Sequence, residues 1–215
     1  MNYKINEVFR TIQGEAKFTG TPCVFIRLQG CGVGCAWCDT KHTWETNDND
    51  RVFDIIAKES DGDSWASMSI QDILDYCNDS GVSHVVLTGG EPFEQDIEPL
   101  IEALYRNHFQ VQIETSGTVP FDSSPNAWVT VSPKYNMAGG KEVLESCLIN
   151  ADEIKFPVGK DIDVERAAEI QKWFIGDVWL QPLSQSKKAT KLCLEACYKH
   201  GFNLSIQTHK YIGVR

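Results

Sequence analysis

No apolar run in this 215-residue chain approaches the ~20 residues that span a bilayer, so no helical membrane span is expected. Residues 1–10, MNYKINEVFR, lack the apolar core of a secretory signal. Positive charge is also scarce: 20 Lys and Arg stand against 30 Asp and Glu, a formal net charge of −10. A phosphate backbone is gripped by clustered Lys and Arg, and none stands out, so neither a nucleic-acid nor a membrane partner is expected. Internal repeats and low-complexity tracts are missing as well. The expected setting is the cytoplasm.

What is present reads as an ordinary globular protein, 42% hydrophobic and 23% charged, of a length that suits one domain over 1–215. Eight cysteines are many for such a chain. In a reducing compartment a tight cysteine group is read as a metal site before a disulfide framework.

Short β-branched and aromatic runs recur at 24–28, 84–87, 111–113, 128–131, 153–156, 178–180 and 204–206. Each is brief and nearly continuous in apolar character, the pattern of strands buried on both faces of a parallel sheet. Helical spacing lies between several of them. Ser69 with Asp72 can cap a helix whose Ile70, Ile73, Leu74 and Cys77 share a face. Ile97, Leu100, Ile101 and Leu104 repeat the spacing, as do Ala189, Leu192, Cys193 and Ala196 ahead of Gly201. Alternating strands and helices imply right-handed βα units. A full eight-fold barrel takes ~250 residues, so an α/β fold with a shortened, open TIM-type barrel of parallel strands is expected. Residues 45–67 are polar and acidic and read as an insertion.

The first strong strand runs into Gln29-Gly-Cys31-Gly-Val-Gly-Cys35-Ala-Trp37-Cys38-Asp39-Thr40. Three thiols within eight residues, interleaved with glycine, can wrap one metal centre. A structural zinc site wants four ligands, and neither His42 nor Cys23 has the customary spacing, so zinc is the weaker alternative. Three ligands leave one corner of an iron–sulfur cluster open. Cys77 and Cys193 read as small core residues.

Cys-x3-Cys-x2-Cys with Trp37 before the last cysteine resembles the radical S-adenosylmethionine (SAM) superfamily. The resemblance implies a 4Fe-4S cluster held by Cys31, Cys35 and Cys38, whose open iron chelates SAM. Ligands of α/β folds sit at the carboxyl ends of the strands, and those ends are polar here. Thr88-Gly89-Gly90-Glu91-Pro92 matches the superfamily's SAM-contacting GGEP motif, in which Glu91 offers an acceptor to an ammonium. Ser116, Ser132, Pro133, Lys134 and Gln181 follow later strands, and with Trp37, Cys38 and Asp39 complete the SAM set that the resemblance implies. A satisfied turn side chain remains the alternative for each strand-end residue taken singly.

Longer segments resemble one family of that superfamily, the 7-carboxy-7-deazaguanine synthases of queuosine and deazapurine synthesis. They are Asn6-Glu-Val-Phe9-Arg-Thr-Ile-Gln13-Gly14-Glu15, Phe25-Ile-Arg27-Leu, Cys38-Asp39-Thr40-Lys41-His42-Thr43-Trp44 and Gln207-Thr208-His209-Lys210-Tyr211. The family resemblance implies a lyase acting on 6-carboxy-5,6,7,8-tetrahydropterin. Hydrogen abstraction at C6 by a 5′-deoxyadenosyl radical, ring contraction and loss of ammonia would follow, with SAM used catalytically. Arg27 would bind the substrate carboxylate as a bidentate fork. Ile12, Gln13, Gly14, Glu15, Thr88 and His209 would line the pterin, with the terminal carboxylate of Arg215. Thr40 would contact Mg²⁺, with a plain turn hydroxyl as the alternative. A homodimer and a flavodoxin-type reductant are also implied. Two rivals remain: a glycyl-radical-enzyme activase, with no use for the segments around Arg27 and His209, and a non-catalytic zinc or iron–sulfur module, which leaves the strand ends unexplained.

Overall fold

The structure, a computed structural model, describes residues 1–56, 58 and 62–214. Its strands are β1 (Asn2–Ile12), β2 (Pro22–Leu28), β3 (Ala66–Ser69), β4 (His84–Gly89), β5 (Gln110–Thr115), β6 (Ala127–Val131), β7 (Glu153–Val158), β8 (Asp177–Pro182) and β9 (Asn203–Leu204). They form one sheet in the order β3-β1-β2-β4-β5-β6-β7-β8-β9. From β2 onward every pairing is parallel; β1 runs antiparallel to both β2 and β3. The order ends on β3 and β9 without joining them, so the barrel is open, as expected for a chain of this length.

The helices are α1 (Ile70–Asp79), α2 (Glu98–Arg106), α3 (Glu145–Ile149), α4 (Asp161–Gln171), α5 (Lys187–His200) and α6 (Thr208–Ile212). The first two follow the expected spacing closely: Ile73, Leu74 and Cys77 of α1, and Leu100, Ile101 and Leu104 of α2, are all buried. Their counterparts on the sheet alternate along each strand: Val24, Ile26 and Leu28; Val85 and Leu87; Val111 and Ile113; Ile154 and Phe156. Cysteines 77 and 193 belong to this core, as expected.

The residues between those apolar positions correct the expectation of strands apolar on both faces. Because successive side chains point to opposite faces, Arg27, Thr88, Gln112, Glu114, Thr130, Glu153 and Lys155 share the other side of the sheet. Register supports this, since Arg27 pairs with Thr88 and Glu114 with Thr130, which pairs with Glu153. Many are fully buried, yet they are polar. One face takes the helices; the other forms the interior of the barrel.

Two elements lie where no strand was expected. The longest, β1, crosses the start of the chain, and β3 begins inside the 45–67 stretch. That stretch is not wholly a polar excursion: Ile55 and Trp65 are buried, and the Trp65 indole donates to the Asn47 carbonyl at 2.9 Å. Polar composition hid two anchors.

At the start of α1, Ser69 Oγ accepts the Asp72 amide while the Asp72 carboxylate accepts the Ser69 amide at 2.8 Å, a reciprocal capping box. Ser69→Ala is therefore expected to lower unfolding stability by about 1 kcal/mol, read from urea denaturation with an unchanged slope.

Candidate active site

A cavity of about 660 Å³ opens at the strand ends and runs into the barrel. It is large enough for ligands of cofactor size. The loop after β2 brings Cys31, Cys35 and Cys38 to it, together with Trp37, Asp39 and Thr40. The Cys31 amide donates to the Trp44 carbonyl at 3.0 Å and the Cys38 amide to the Cys35 carbonyl at 3.1 Å, which fixes the loop's curl. All three cysteines are free. Burial pushes the Cys31 thiol up to about 11 and raises that of Cys35 also. Thiols held this way ionise when a positive centre binds them. Among the described residues no three His, Cys, Asp or Glu side chains stand grouped around a single metal ion, but three thiols on one cavity wall without a fourth cysteine suit an iron–sulfur cluster with one open corner. The Thr40 hydroxyl lies 3.5 Å from Cys38 Sγ, and its amide donates to the same sulfur at 3.4 Å.

The loop after β4 lies directly on this one. The Gly90 amide donates to the Leu28 carbonyl and the Glu91 amide to that of Gly30, both at 2.8 Å. A Cβ on Gly90 would overlap the Gly30 carbonyl oxygen, so close approach requires glycine there. Glu91 is buried, and its carboxylate ties this loop to the one after β5. One oxygen accepts the Thr115 hydroxyl at 2.6 Å; the other accepts the Ser116 amide at 2.8 Å and its hydroxyl at 2.5 Å. Desolvation nevertheless raises its pKa. Its own chain thus engages both oxygens of the group read from the sequence as an ammonium acceptor. Gly89, Gly90 and Ser116 line the cavity beside it.

Ser132 and Lys134 follow β6, with the ammonium 2.6 Å from the serine hydroxyl and 4.9 Å from the Trp37 ring centre. Burial lowers the Lys134 pKa. Gln181 ends the sequence-read set at β8, accepting the Ser205 hydroxyl at 2.9 Å. Pro133 does not line the cavity.

The opposite end of the cavity is built by β1, β2 and the C-terminal segment. Arg27 Nε donates to Glu7 Oε2 at 2.9 Å, and Glu7 is its direct cross-strand partner on β1. The guanidinium also lies 5.7 Å from the Phe9 ring centre, and Phe9 stacks on Phe25. Thr88 sits next to Arg27 on β4 and faces the same space. Gln13 Nε2 donates to Gln112 Oε1 at 3.0 Å, while Gln13 Oε1 accepts the Glu15 amide at 3.1 Å. Lys155 Nζ bridges Glu15 at 2.5 Å and Glu114 at 2.6 Å.

The C-terminal helix closes this end. Thr208 donates to the Gly14 carbonyl through both its amide and its hydroxyl, each at 3.0 Å. His209 faces the cavity, its pKa lowered by burial. Gly14 itself and Ile12 are not in the cavity wall. Arg215 lies outside the described residues. Sequence reasoning passed over Glu7, Glu114, Lys155, Gln207 and Lys210, which line the wall. The signal for Lys155 was present: Glu153 and Lys155 alternate with apolar residues in a strand, which marks a polar interior face.

A family model described as a 4Fe-4S single cluster domain matches residues 16–128. The crystal structure of QueE from Escherichia coli resembles the fold with a TM-score of 0.90 at 49% identity, covering 96% of this chain and 94% of that one. Fold, cysteine loop and strand-end cavity together define a radical SAM enzyme with an iron–sulfur cluster. A 7-carboxy-7-deazaguanine synthase from Escherichia coli (strain K12) is 50% identical over 222 residues, with both chains covered in full. One from Buchnera aphidicola subsp. Schizaphis graminum (strain Sg) is 40% identical over 223 residues, again with full coverage. The chain belongs to the 7-carboxy-7-deazaguanine synthase family.

A Cβ on Gly14 would overlap the His209 ring and crowd its backbone nitrogen, so α6 would have to move. Gly14→Ala is expected to lower turnover by roughly a hundredfold, the scale of an ångström's misplacement. Limited proteolysis should release the segment after Gln207 faster, with far-UV circular dichroism unchanged.

Proposed function

We propose that this enzyme converts 6-carboxy-5,6,7,8-tetrahydropterin to 7-carboxy-7-deazaguanine with loss of ammonia. One observation carries the reading: a single cavity joins the three cluster cysteines to an arginine-bearing, carboxylate-bearing end. That end suits a small planar substrate with a carboxylate on one side and ring donors on the other. The cluster held by Cys31, Cys35 and Cys38, together with SAM, would supply the radical chemistry that the reaction needs at C6 of the pterin.

The chain's own residues bind and orient. Cys31, Cys35 and Cys38 would hold the cluster. Trp37, Asp39, Gly89, Gly90, Glu91, Ser116, Ser132, Lys134 and Gln181 would surround SAM, with Pro133 shaping their loop from outside the cavity wall. Glu91 would act chiefly by holding its loop against Thr115 and Ser116, since both its oxygens are already engaged. Arg27, with its fork held by Glu7, would take the substrate carboxylate. Glu15 is an acceptor for ring N–H groups, Gln13 and Thr88 flank it, and His209 covers it. Ile12 and Gly14 would contribute through their backbone.

The proposal extends to Mg²⁺ at Thr40, the Arg215 carboxylate as a substrate contact, one domain over 1–215, a homodimer, and a flavodoxin-type reductant in the cytoplasm. These rest on the family resemblance. The position of Thr40 beside Cys38 supports the first of them.

The test is anaerobic reconstitution with iron, sulfide, reductant, SAM, Mg²⁺ and the carboxy-tetrahydropterin. The deazaguanine product is expected, and its absence with an intact cluster would sink the reading. Arg27→Ala should raise the substrate KM by about thirtyfold or more, the usual cost of truncating a hydrogen-bonded charge. Cluster absorbance and substrate-independent SAM cleavage should persist; loss of the cluster would contradict the role. Thr40→Ala should mainly blunt the rate response to Mg²⁺, and an unchanged Mg²⁺ titration would make Thr40 a turn residue.

A further inference from the structure

A charged triad stands in the barrel interior without an obvious structural reason. Lys155 is 6% exposed, and the two carboxylates it bridges, Glu15 and Glu114, are 15% and 12% exposed. Taking ions out of water costs several kcal/mol each, and buried ionic groups are frequently no more stabilising than apolar residues of the same volume. One cation with two anions is a poorer bargain still, because the carboxylates repel each other. Stability therefore gives little ground for this arrangement.

Its geometry gives more. Glu15 comes from the loop after β1, Glu114 from β5 and Lys155 from β7, so the ammonium joins three elements. Glu15 Oε2 accepts Lys155 Nζ, and Glu15 Oε1 accepts Gln207 Nε2 at 2.9 Å. Both oxygens are pinned from different directions, and each keeps a lone pair for a ligand. Glu114 is held apart, with its second oxygen accepting Gln112 Nε2 at 3.3 Å. The two carboxylates respond unequally. Burial opposes charge on Glu15, but the Lys155 ammonium and the hydrogen bonds from Lys155 and Gln207 outweigh it and hold Glu15 at about 2. Burial dominates at Glu114 and lifts it to about 7, with the charge of Glu15 adding to the rise.

We propose that Lys155 is a positioning residue: by clamping Glu15 away from Glu114, it presents the Glu15 carboxylate as a fixed acceptor for the paired N–H donors of the substrate's aminopyrimidinone edge. The inference rests on the substrate reading above. Lys155 acts through Glu15 and takes no part in the radical step. Two N–H donors spaced as in an aminopyrimidinone match the two oxygens of one carboxylate, provided that carboxylate is ionised and cannot turn. Lys155 and Gln207 secure both conditions.

The test uses the anaerobically reconstituted full-length enzyme and two readouts, the Kd of the carboxy-tetrahydropterin without reductant and the steady-state KM and kcat. Lys155→Met is expected to raise both Kd and KM by about thirtyfold or more at pH 7, as for loss of one partner of a buried charge pair. Cluster content should not change. The pH profile separates positioning from mere packing. The other charged groups that act on Glu15 are Glu114, Lys134 after β6 and His209 from α6; behind them Glu153 acts on Glu114, and Asp39 and Lys210 act on His209. With Lys155 present, Glu15 stays ionised throughout pH 6 to 8 while Glu114, at about 7, titrates there, so the flat Kd expected of a clamped Glu15 is read in Glu114→Gln, where only Glu15 remains. In Lys155→Met the two carboxylates share a proton, so affinity should recover as pH rises and the proton leaves. Lys155→Arg should restore most of the affinity.

Because the methionine variant leaves two unbalanced carboxylates, Lys155→Met/Glu114→Gln provides a version with less buried charge. Its Kd should stay raised, since Glu15 remains unclamped. Wild-type Kd in Lys155→Met, or recovery within twofold in the double variant, would overturn the role of Lys155 alone. Failure of the wild-type enzyme to bind or turn over the pterin would instead remove the substrate reading, and this inference with it.

Discussion

Polar side chains buried inside a barrel hold their place only when they find hydrogen-bond partners, and here most find one another. That requirement organises this molecule. Gln112 stands at the junction: its amide nitrogen donates to Thr130 and Glu114, and its oxygen receives Gln13 and meets His84. Thr130 in turn donates to Glu153 at 2.8 Å. Burial raises the Glu153 pKa, against the pull of the Thr130 hydroxyl and the Lys155 charge. Above this layer the Lys155 triad and the Arg27–Glu7 pair complete the lining.

One cavity is walled by two kinds of chain segment. The upper half is made by strand-end loops that lie on one another, joined by Gly90 against Gly30 and by Glu91 reaching Thr115 and Ser116. The lower half is closed by chain that is remote in sequence, since Gln207, Thr208 and His209 meet Gly14 and Glu15. Lys210 links the two, reaching Gln207 at 2.9 Å and Asp39 beside Cys38 at 3.3 Å. The end that holds Arg27 and Glu15 and the end that holds the three cysteines are thus tied through one short helix.

Several elements were legible from local pattern. The helical spacing of 70–77 and 97–104 places its apolar residues in the core, and the runs at 84–87, 111–113 and 178–180 all fall in strands. β1 escaped notice because its burial is nearly continuous while its composition is mixed, with Asn6, Glu7 and Thr11 buried among apolar residues. Glu7 is buried with Arg27 as its cross-strand partner, which no reading of residues 2–12 alone can reveal. Alternation marked the face of Lys155, but its partners, 140 and 41 residues away, could not be read from that pattern.

The sequence by itself determined the chemistry at the strand ends: three thiols in a glycine loop, two glycines before Glu91, and the segments that identify the family. Such motifs are contiguous, so their meaning travels with their spacing. Only the tertiary structure decided which charges meet inside the barrel, how the C-terminal helix seals Gly14, and that Glu91 is spent on holding loops together. These depend on strand register and on packing between distant segments. A one-residue change of register would turn the whole polar face outward, and no local stretch of sequence records that choice.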